Sequence, residues 1–127
     1  MKNFNSPHLH AGLWIVSVTV LMMMPAPALP DLGSWLPPTL DQWIDKIQHL
    51  LAFMVMVVLV ARSLGELESV QRPVSMAAIL TLGFSFILEA LQALVPWRLF
   101  EVMDLVADAL GVLIALPIAK RYVELTE

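Results

Sequence analysis

The sequence contains no cysteine and few charged residues. Among its 127 residues, 14% are charged and 59% are hydrophobic, and the mean hydropathy is +0.80. The absence of cysteine excludes disulfides, thiolate metal sites and a cysteine nucleophile. Because about a quarter of the residues in a soluble domain are charged, this composition is typical of a membrane protein. The length predicts a single domain covering residues 1–127.

Basic residues are the scarcer of the two charged types. The chain has seven Lys and Arg against eleven Asp and Glu, which gives a net charge of -4. Proteins that bind nucleic acid need clustered Lys and Arg. Nucleic acid is therefore excluded as a partner, and the hydropathy predicts membrane lipids instead.

Four apolar runs occupy most of the chain, at about residues 9–24, 43–64, 74–95 and 102–119. A membrane-spanning helix needs about 20 mostly apolar residues. Four such runs leave too little polar sequence to cover a soluble domain. We therefore predict an all-α, integral membrane four-helix bundle.

The first apolar run has a second interpretation. Ala26-Pro27-Ala28 follows it and resembles the cleavage site of a secretory signal peptide. However, only Lys2 supplies a fixed positive charge ahead of the run, where a signal peptide has a basic segment. A retained helix followed by a proline-rich loop is favoured, with cleavage as the alternative.

The basic residues are divided unevenly between the two faces of such a bundle. One face would hold Lys2, Arg62, Arg72, Lys120 and Arg121. The opposite face would hold only Lys46 and Arg98. Since Lys and Arg are enriched in cytoplasmic loops, both termini are predicted to be cytoplasmic.

Polar residues cluster near the opposite, outward-facing ends of the predicted helices. They are Asp45, Lys46, His49, Glu89, Gln92, Arg98, Asp104 and Asp108. From the helical rise, Glu89 and Asp108 should share a layer roughly 10 Å below the turn between the last two helices. Gln92 and Asp104 would form a shallower layer, with His49 near the same height. Because polar groups at membrane depth are costly, the cluster indicates a functional site.

Small residues predict where the acidic face of the last helix points. Ala107, Gly111 and Ala115 are spaced four apart, on the side that also carries Asp104 and Asp108. Small residues allow a neighbouring helix to approach closely. This side is therefore predicted to face another helix rather than lipid.

The cluster contains residue types suited to acid–base chemistry and to anion binding. Glu89, His49 and Asp108 are the predicted catalytic residues, because carboxyl and imidazole groups exchange protons. The predicted ligand-binding residues are Asp45, Lys46, Gln92, Arg98 and Asp104. Within that set, Arg98 and Lys46 would hold a phosphate group.

Each of these groups also has a structural interpretation. Lys46 and Arg98 can extend to the lipid headgroups, and Asp45 can cap a helix. Ser85, on the same side of its helix, more often bonds its own backbone than a ligand. A polar network that only fixes the packing of the helices is therefore an open alternative.

A metal site built from the same residues is a further alternative. Its ligands would be Glu89, His49, Asp104 and Asp108. The sequence has no dense ligand motif such as H-E-x-x-H, so we predict neither a metal nor a cofactor.

Two ordered motifs resemble those of the VanZ-like family of bacterial membrane proteins. The first motif is Asp45-Lys46-x-x-His49. The second is Glu89-x-x-Gln92, then Arg98, then Asp104-x-x-x-Asp108-x-x-Gly111. Two positions differ from the family pattern. Asp108 stands where the family usually has Asn, and Glu101 where it often has a small hydroxyl residue, so this site is more acidic.

The resemblance implies a multi-pass protein of the bacterial inner (plasma) membrane that acts in the cell envelope. The namesake of the family is associated with resistance to the glycopeptide teicoplanin, but the family supplies no reaction. We favour a site that binds, or also modifies, a phosphorylated lipid or lipid-linked glycan. The alternatives are a small proton-coupled transporter, which would require a homo-oligomer, and a non-catalytic assembly or helper protein. Whether the protein is an enzyme is left open.

Overall fold

A computed structural model describes residues 6–25 and 37–125. Four helices follow one another along the chain: α1 (Pro7–Met23), α2 (Pro38–Gly65), α3 (Pro73–Gln92) and α4 (Val102–Glu124). The prediction of an all-α protein with four helices is confirmed. The possible cleavage site at Ala26-Pro27-Ala28 lies outside the described residues.

The helix ends differ from the apolar runs in ways that proline and loop chemistry explain. Helices α1, α2 and α3 each begin at a proline, which has no N–H to leave unpaired and has the φ angle of a first helical residue. As a result α2 starts ahead of its apolar run, at Pro38. Helix α3 ends at Gln92, and α4 continues through Pro117 to Glu124.

Side-chain contacts show that consecutive helices run in opposite directions. The Arg62 guanidinium donates to the Tyr122 hydroxyl at 3.1 Å, and His8 Nδ1 lies 2.5 Å from Ser63 Oγ. These residues place the start of α1 and the ends of α2 and α4 together, at what we call the terminal end. At the other end, called the site end, the Trp97 indole donates to the Met23 carbonyl at 3.2 Å.

Within the part of the chain that the structure describes, three helices are long and apolar enough to cross a membrane. These spans are Trp43–Gly65, Pro73–Gln92 and Val102–Glu124, with mean hydropathies of 1.9, 2.0 and 2.0. Helix α1 is shorter, with 17 residues. Large apolar side chains such as Ile79, Phe86 and Leu113 cover the outside of the bundle. This outer surface suits contact with lipid.

Helices α2 and α4 approach each other closely at Gly111. A Cβ atom at this position would lie 2.3 Å from the Leu50 carbonyl oxygen of α2. Ala107 and Ala115, four residues to either side, are also buried. The predicted small-residue side of α4 therefore faces α2, and brings the polar residues of both helices together.

Candidate functional site

Polar side chains from three helices and one loop meet at the site end. We call this group the polar site. It consists of Asp45, Lys46, His49, Ser85, Glu89, Arg98, Glu101, Asp104 and Asp108. Seven of these nine residues are among the eight predicted from the sequence, and Ser85 and Glu101 were not.

Lys46 joins α2 to the start of α4 through ion pairs. Its ammonium group contacts the Asp104 carboxylate, lies 2.5 Å from Glu101 Oε2, and lies 3.5 Å from Asp45 Oδ2. The Lys46 side chain is only 18% exposed. Three carboxylates therefore share one cation, and this cation is committed to the protein rather than free for a ligand.

His49, Asp108 and Ser85 form a buried chain one level deeper. His49 Nδ1 lies 2.9 Å from Asp108 Oδ1, and the Ser85 hydroxyl donates to Asp108 Oδ2 at 2.5 Å. A carboxylate only accepts hydrogen bonds, so Nδ1 of His49 carries the proton. Nε2 faces Asp104 Oδ2 at 3.8 Å; this atom holds a lone pair in the neutral ring and a proton in the charged ring. A carboxylate that orients the imidazole in this way is the arrangement of a general base.

Glu89 is a buried residue of α3 that lies beside the start of α4. Its Oε1 atom accepts the backbone N–H of Glu101 at 2.6 Å, and Glu101 is the residue immediately before the helix. A carboxylate at a helix N-terminus is stabilised by the unpaired N–H groups and by the helix dipole. Glu89 therefore holds α3 against α4 in addition to any role in chemistry.

The sequence predicts that Asp108 lies level with Glu89, but the structure pairs Asp108 with a different residue of α3. Asp108 is bonded to Ser85, one turn deeper on α3 than Glu89, which was the predicted neighbour. The reason is that α4 does not begin at the top of the turn. Glu101, the residue before α4, donates its backbone N–H to Glu89, so α4 begins beside Glu89 and Asp108 lies deeper in the bundle than Glu89.

Ser85 and Glu101 were noted in the sequence but were not among the predicted catalytic or ligand-binding residues. The expectation that Ser85 bonds its own backbone is wrong, because its hydroxyl donates to Asp108. The available signal was its position four residues before Glu89, on the same side of α3. For Glu101 the signal was an acidic residue at a position that differs from the family pattern.

Arg98 lies in the loop between α3 and α4, at the mouth of the polar site. Its Nη1 atom is 4.0 Å from Asp45 Oδ1, beyond hydrogen-bonding distance, and its side chain is 22% exposed. Its Nε atom is buried and has no hydrogen-bond partner among the described residues. The neighbouring loop residues Trp97, Leu99 and Phe100 are exposed and apolar. Arg98 is thus a cation with unused donor capacity inside an apolar rim.

Gln92 is buried and binds α1. Its amide nitrogen donates to the Met22 carbonyl at 2.9 Å. The predicted shallow layer paired Gln92 with Asp104, whereas the observed partner of Asp104 is Lys46. The position of Gln92 therefore favours a role in holding α1 against α3.

The Gln92→Leu substitution tests this role. Losing the hydrogen bond leaves the buried Met22 carbonyl unpaired, which should lower the free energy of unfolding by about 1 kcal/mol, measured by thermal unfolding in detergent. The control is Gln48→Leu at an exposed position of α2, which should change little. A variant with unchanged stability but reduced lipid binding would instead support the predicted ligand-binding role.

Asp45, His49 and Asp104 could also be considered as metal ligands. One ligand atom from each lies within 4.8 Å of the others. However, the Lys46 ammonium already contacts Asp104 and lies near Asp45, so a cation of the protein neutralises two of the three groups. The arrangement of these three residues therefore does not by itself support the hypothesis of a metal site.

The fold and the site together define a class: a four-helix membrane protein with a buried carboxylate–imidazole network at one end of the bundle. Within that class, the chain belongs to the VanZ/LLP1 family, whose sequence model matches residues 7–123. The resemblance inferred from the motifs is confirmed. No curated protein and no solved structure matches the chain.

Proposed function

We propose that the protein binds the headgroup of a phosphorylated envelope lipid, or of a lipid-linked glycan, at the polar site. Arg98 is the observation that carries this proposal. Its buried Nε has no partner within the described ranges, and exposed apolar side chains lie next to it in the loop. A guanidinium group binds phosphate through a planar fork of donors, while the apolar loop is suited to the acyl chains of the same molecule.

The observed contacts give different roles to Lys46 and Arg98, the two residues predicted to bind phosphate. Lys46 is held by Asp104 and Glu101, so binding phosphate would require breaking these ion pairs. Among the described residues, Arg98 has no contact of comparable length to a carboxylate. We therefore assign the phosphate to Arg98 and give Lys46 the role of holding the carboxylates in place.

His49 is the residue that we propose for acid–base chemistry on the bound headgroup. Asp108 accepts a hydrogen bond from Nδ1, and Nε2 faces Asp104; in the neutral ring Nε2 carries the lone pair that a base needs. A base must lie within hydrogen-bonding reach of the proton that it removes. A headgroup hydroxyl reaching Nε2 would meet that condition, and Glu89 would act on the side of α3.

The proposed membrane is the bacterial inner membrane, with the terminal end in the cytoplasm and the polar site in the outer half. The Lys and Arg of the terminal end support this orientation, because basic residues are enriched on the cytoplasmic side. The site would then face the leaflet in which envelope lipids are processed.

Transport is less well supported by the geometry. Among the described residues, the buried polar side chains other than Thr81 lie in the half nearer the site end, and Thr81 lies near the middle of α3. Toward the terminal end the core is apolar, and includes Val57, Ala61, Ala77 and Ala119. A site that opens to one side only suits binding or catalysis better than passage across the membrane.

The Arg98→Gln substitution tests the phosphate role. Removing the charge should lower the lipid phosphate retained by the protein in mild detergent about tenfold, since a charged hydrogen bond contributes about 1.5–3 kcal/mol. Arg98→Lys should retain part of the binding, because it keeps the charge but loses the fork. Phosphate analysis after purification gives the readout.

The matched control is Arg72→Gln, which removes an exposed arginine from the loop between α2 and α3. It should leave lipid retention unchanged. Thermal unfolding of all variants separates lost binding from lost folding. Equal retention by the wild type and Arg98→Gln would contradict the phosphate role and would favour a purely structural network.

A further inference from the structure

We propose that the headgroup carries a primary amine beside its phosphate, as in phosphoethanolamine lipids. This inference rests on the proposed function and names the chemical class of its ligand. It follows from the charge of the polar site, from the position of its exposed carboxylates, and from the nature of the loop at its mouth.

The polar site has more carboxyl groups than cations. Its five carboxyl groups are Asp45, Glu89, Glu101, Asp104 and Asp108, and its fixed cations are Lys46 and Arg98. With all five carboxyl groups ionised, even a protonated His49 leaves two negative charges without a cation. Buried negative charge without a counter-ion is costly in a membrane. A ligand that brings a positive charge would stabilise the site, whereas a purely anionic headgroup would add to the repulsion.

Two of the carboxylates are accessible to such a ligand. The side chains of Asp45 and Glu101 are 39% and 49% exposed, and both lie around the Lys46 ammonium. Arg98 Nη1 is 4.0 Å from Asp45 Oδ1. A phosphate bound to Arg98 is therefore next to a pair of carboxylates. A primary ammonium has three N–H donors to share between them, which a quaternary ammonium lacks.

The surroundings of Arg98 favour a lipid over a soluble phosphoamine. Trp97, Leu99 and Phe100 flank the arginine in the chain and expose large apolar surfaces. Apolar residues at this level of the bundle are suited to the boundary between headgroups and acyl chains. Acyl chains packed on this loop would add binding energy that a free headgroup cannot gain.

The experiment compares headgroups on one set of acyl chains. The full-length protein in mild detergent is titrated with phosphatidylethanolamine, phosphatidylglycerol and phosphatidylcholine, and bound lipid is counted by native mass spectrometry. We expect phosphatidylethanolamine to bind at least about tenfold more tightly than either of the other two, because a charged hydrogen bond contributes about 1.5–3 kcal/mol. Soluble phosphoethanolamine at the same concentration should not displace it.

Variants of the exposed carboxylates locate the amine. Glu101→Gln and Asp45→Asn should each lower the preference for phosphatidylethanolamine toward the value for phosphatidylglycerol. The matched control is Glu68→Gln, an exposed carboxylate in the loop between α2 and α3, which should keep the full preference. The wild-type comparison does not depend on the folding of any variant.

The outcomes distinguish the two proposals. Equal or tighter binding of phosphatidylglycerol, still lost in Arg98→Gln, would overturn the amine while leaving the phosphorylated-lipid site intact. Displacement by equimolar soluble phosphoethanolamine would overturn the assignment to a lipid. No phospholipid binding that depends on Arg98 would overturn both the amine and the proposed function.

Discussion

The Gly111→Ala substitution should destabilise the protein by at least about 3 kcal/mol, the upper part of the range for overpacked cores. A Cβ at this position would lie 2.3 Å from the Leu50 carbonyl oxygen, and a backbone atom cannot rotate away. Alanine is favoured over glycine in a helix by about 1 kcal/mol, so the clash must exceed this gain. Thermal unfolding in detergent measures the difference.

Gly83→Ala is the matched control, because Gly83 also lies inside a helix but has nothing within 4 Å of its Cβ position. Its substitution should leave stability unchanged or raise it by up to about 1 kcal/mol. The two variants make the same chemical change and differ only in what the methyl group meets. Similar unfolding temperatures for both would show that α2 and α4 are not in backbone contact at Gly111.

The Gly111→Ala substitution should also disturb the polar site. Leu50 follows His49 directly, so moving α2 away from Gly111 also moves the imidazole away from Asp108. Close approach of α2 and α4 is thus a condition for the hydrogen bonds above it. This explains in physical terms why the glycine follows the two aspartates in the motif.

The helices and their main interface could be predicted from the sequence. Four apolar runs imply four helices, and polar residues at intervals of three and four residues must share a side of each helix. Gly111, on the side of α4 that carries Asp104, then indicates close packing on a neighbour. These arguments use only local periodicity, which is why they predict that polar sides meet without predicting which atoms touch.

The individual partners could not be predicted, because they depend on the path of the loop. Counting from the turn placed Glu89 level with Asp108, but α4 begins beside Glu89, where Glu101 donates its backbone N–H. The observed partner of Asp108 is therefore Ser85, one helical turn from Glu89 on α3. Nothing in the periodicity of either helix contains this offset.

The sequence also does not determine which carboxylates pair with Lys46 and which pair with Arg98. Lys46 and Arg98 are both cations near the same carboxylates, and the sequence treats them alike. In the structure Lys46 contacts Asp104 and Glu101, while Arg98 Nη1 comes no nearer than 4.0 Å to Asp45 Oδ1. Glu101 decides the difference, since it adds a second close carboxylate to Lys46 and leaves Arg98 less engaged.

The Asp108→Ala substitution should lower the free energy of unfolding by about 3–5 kcal/mol, the cost of removing one partner from a buried polar pair. It would leave both the His49 N–H and the Ser85 hydroxyl buried without an acceptor. Ser85→Ala made in this background should therefore cost less than in the wild type, because its hydroxyl is no longer bonded. Additive losses in this double-mutant cycle would contradict the observed bond between Ser85 and Asp108.

Asp108→Asn separates folding from chemistry at the same position. The amide oxygen can accept the Ser85 hydroxyl, and the amide nitrogen can donate to His49 Nδ1, so stability should stay within about 1 kcal/mol of the wild type. Where the amide donates to His49, Nδ1 is the unprotonated atom and the proton lies on Nε2, whereas the flipped amide would keep the wild-type tautomer. Nitrogen chemical shifts of labelled histidine distinguish the two tautomers. If His49 acts as a base through Nε2, a folded variant with the exchanged tautomer should lose that activity, and a fully active variant with the exchanged tautomer would exclude this role.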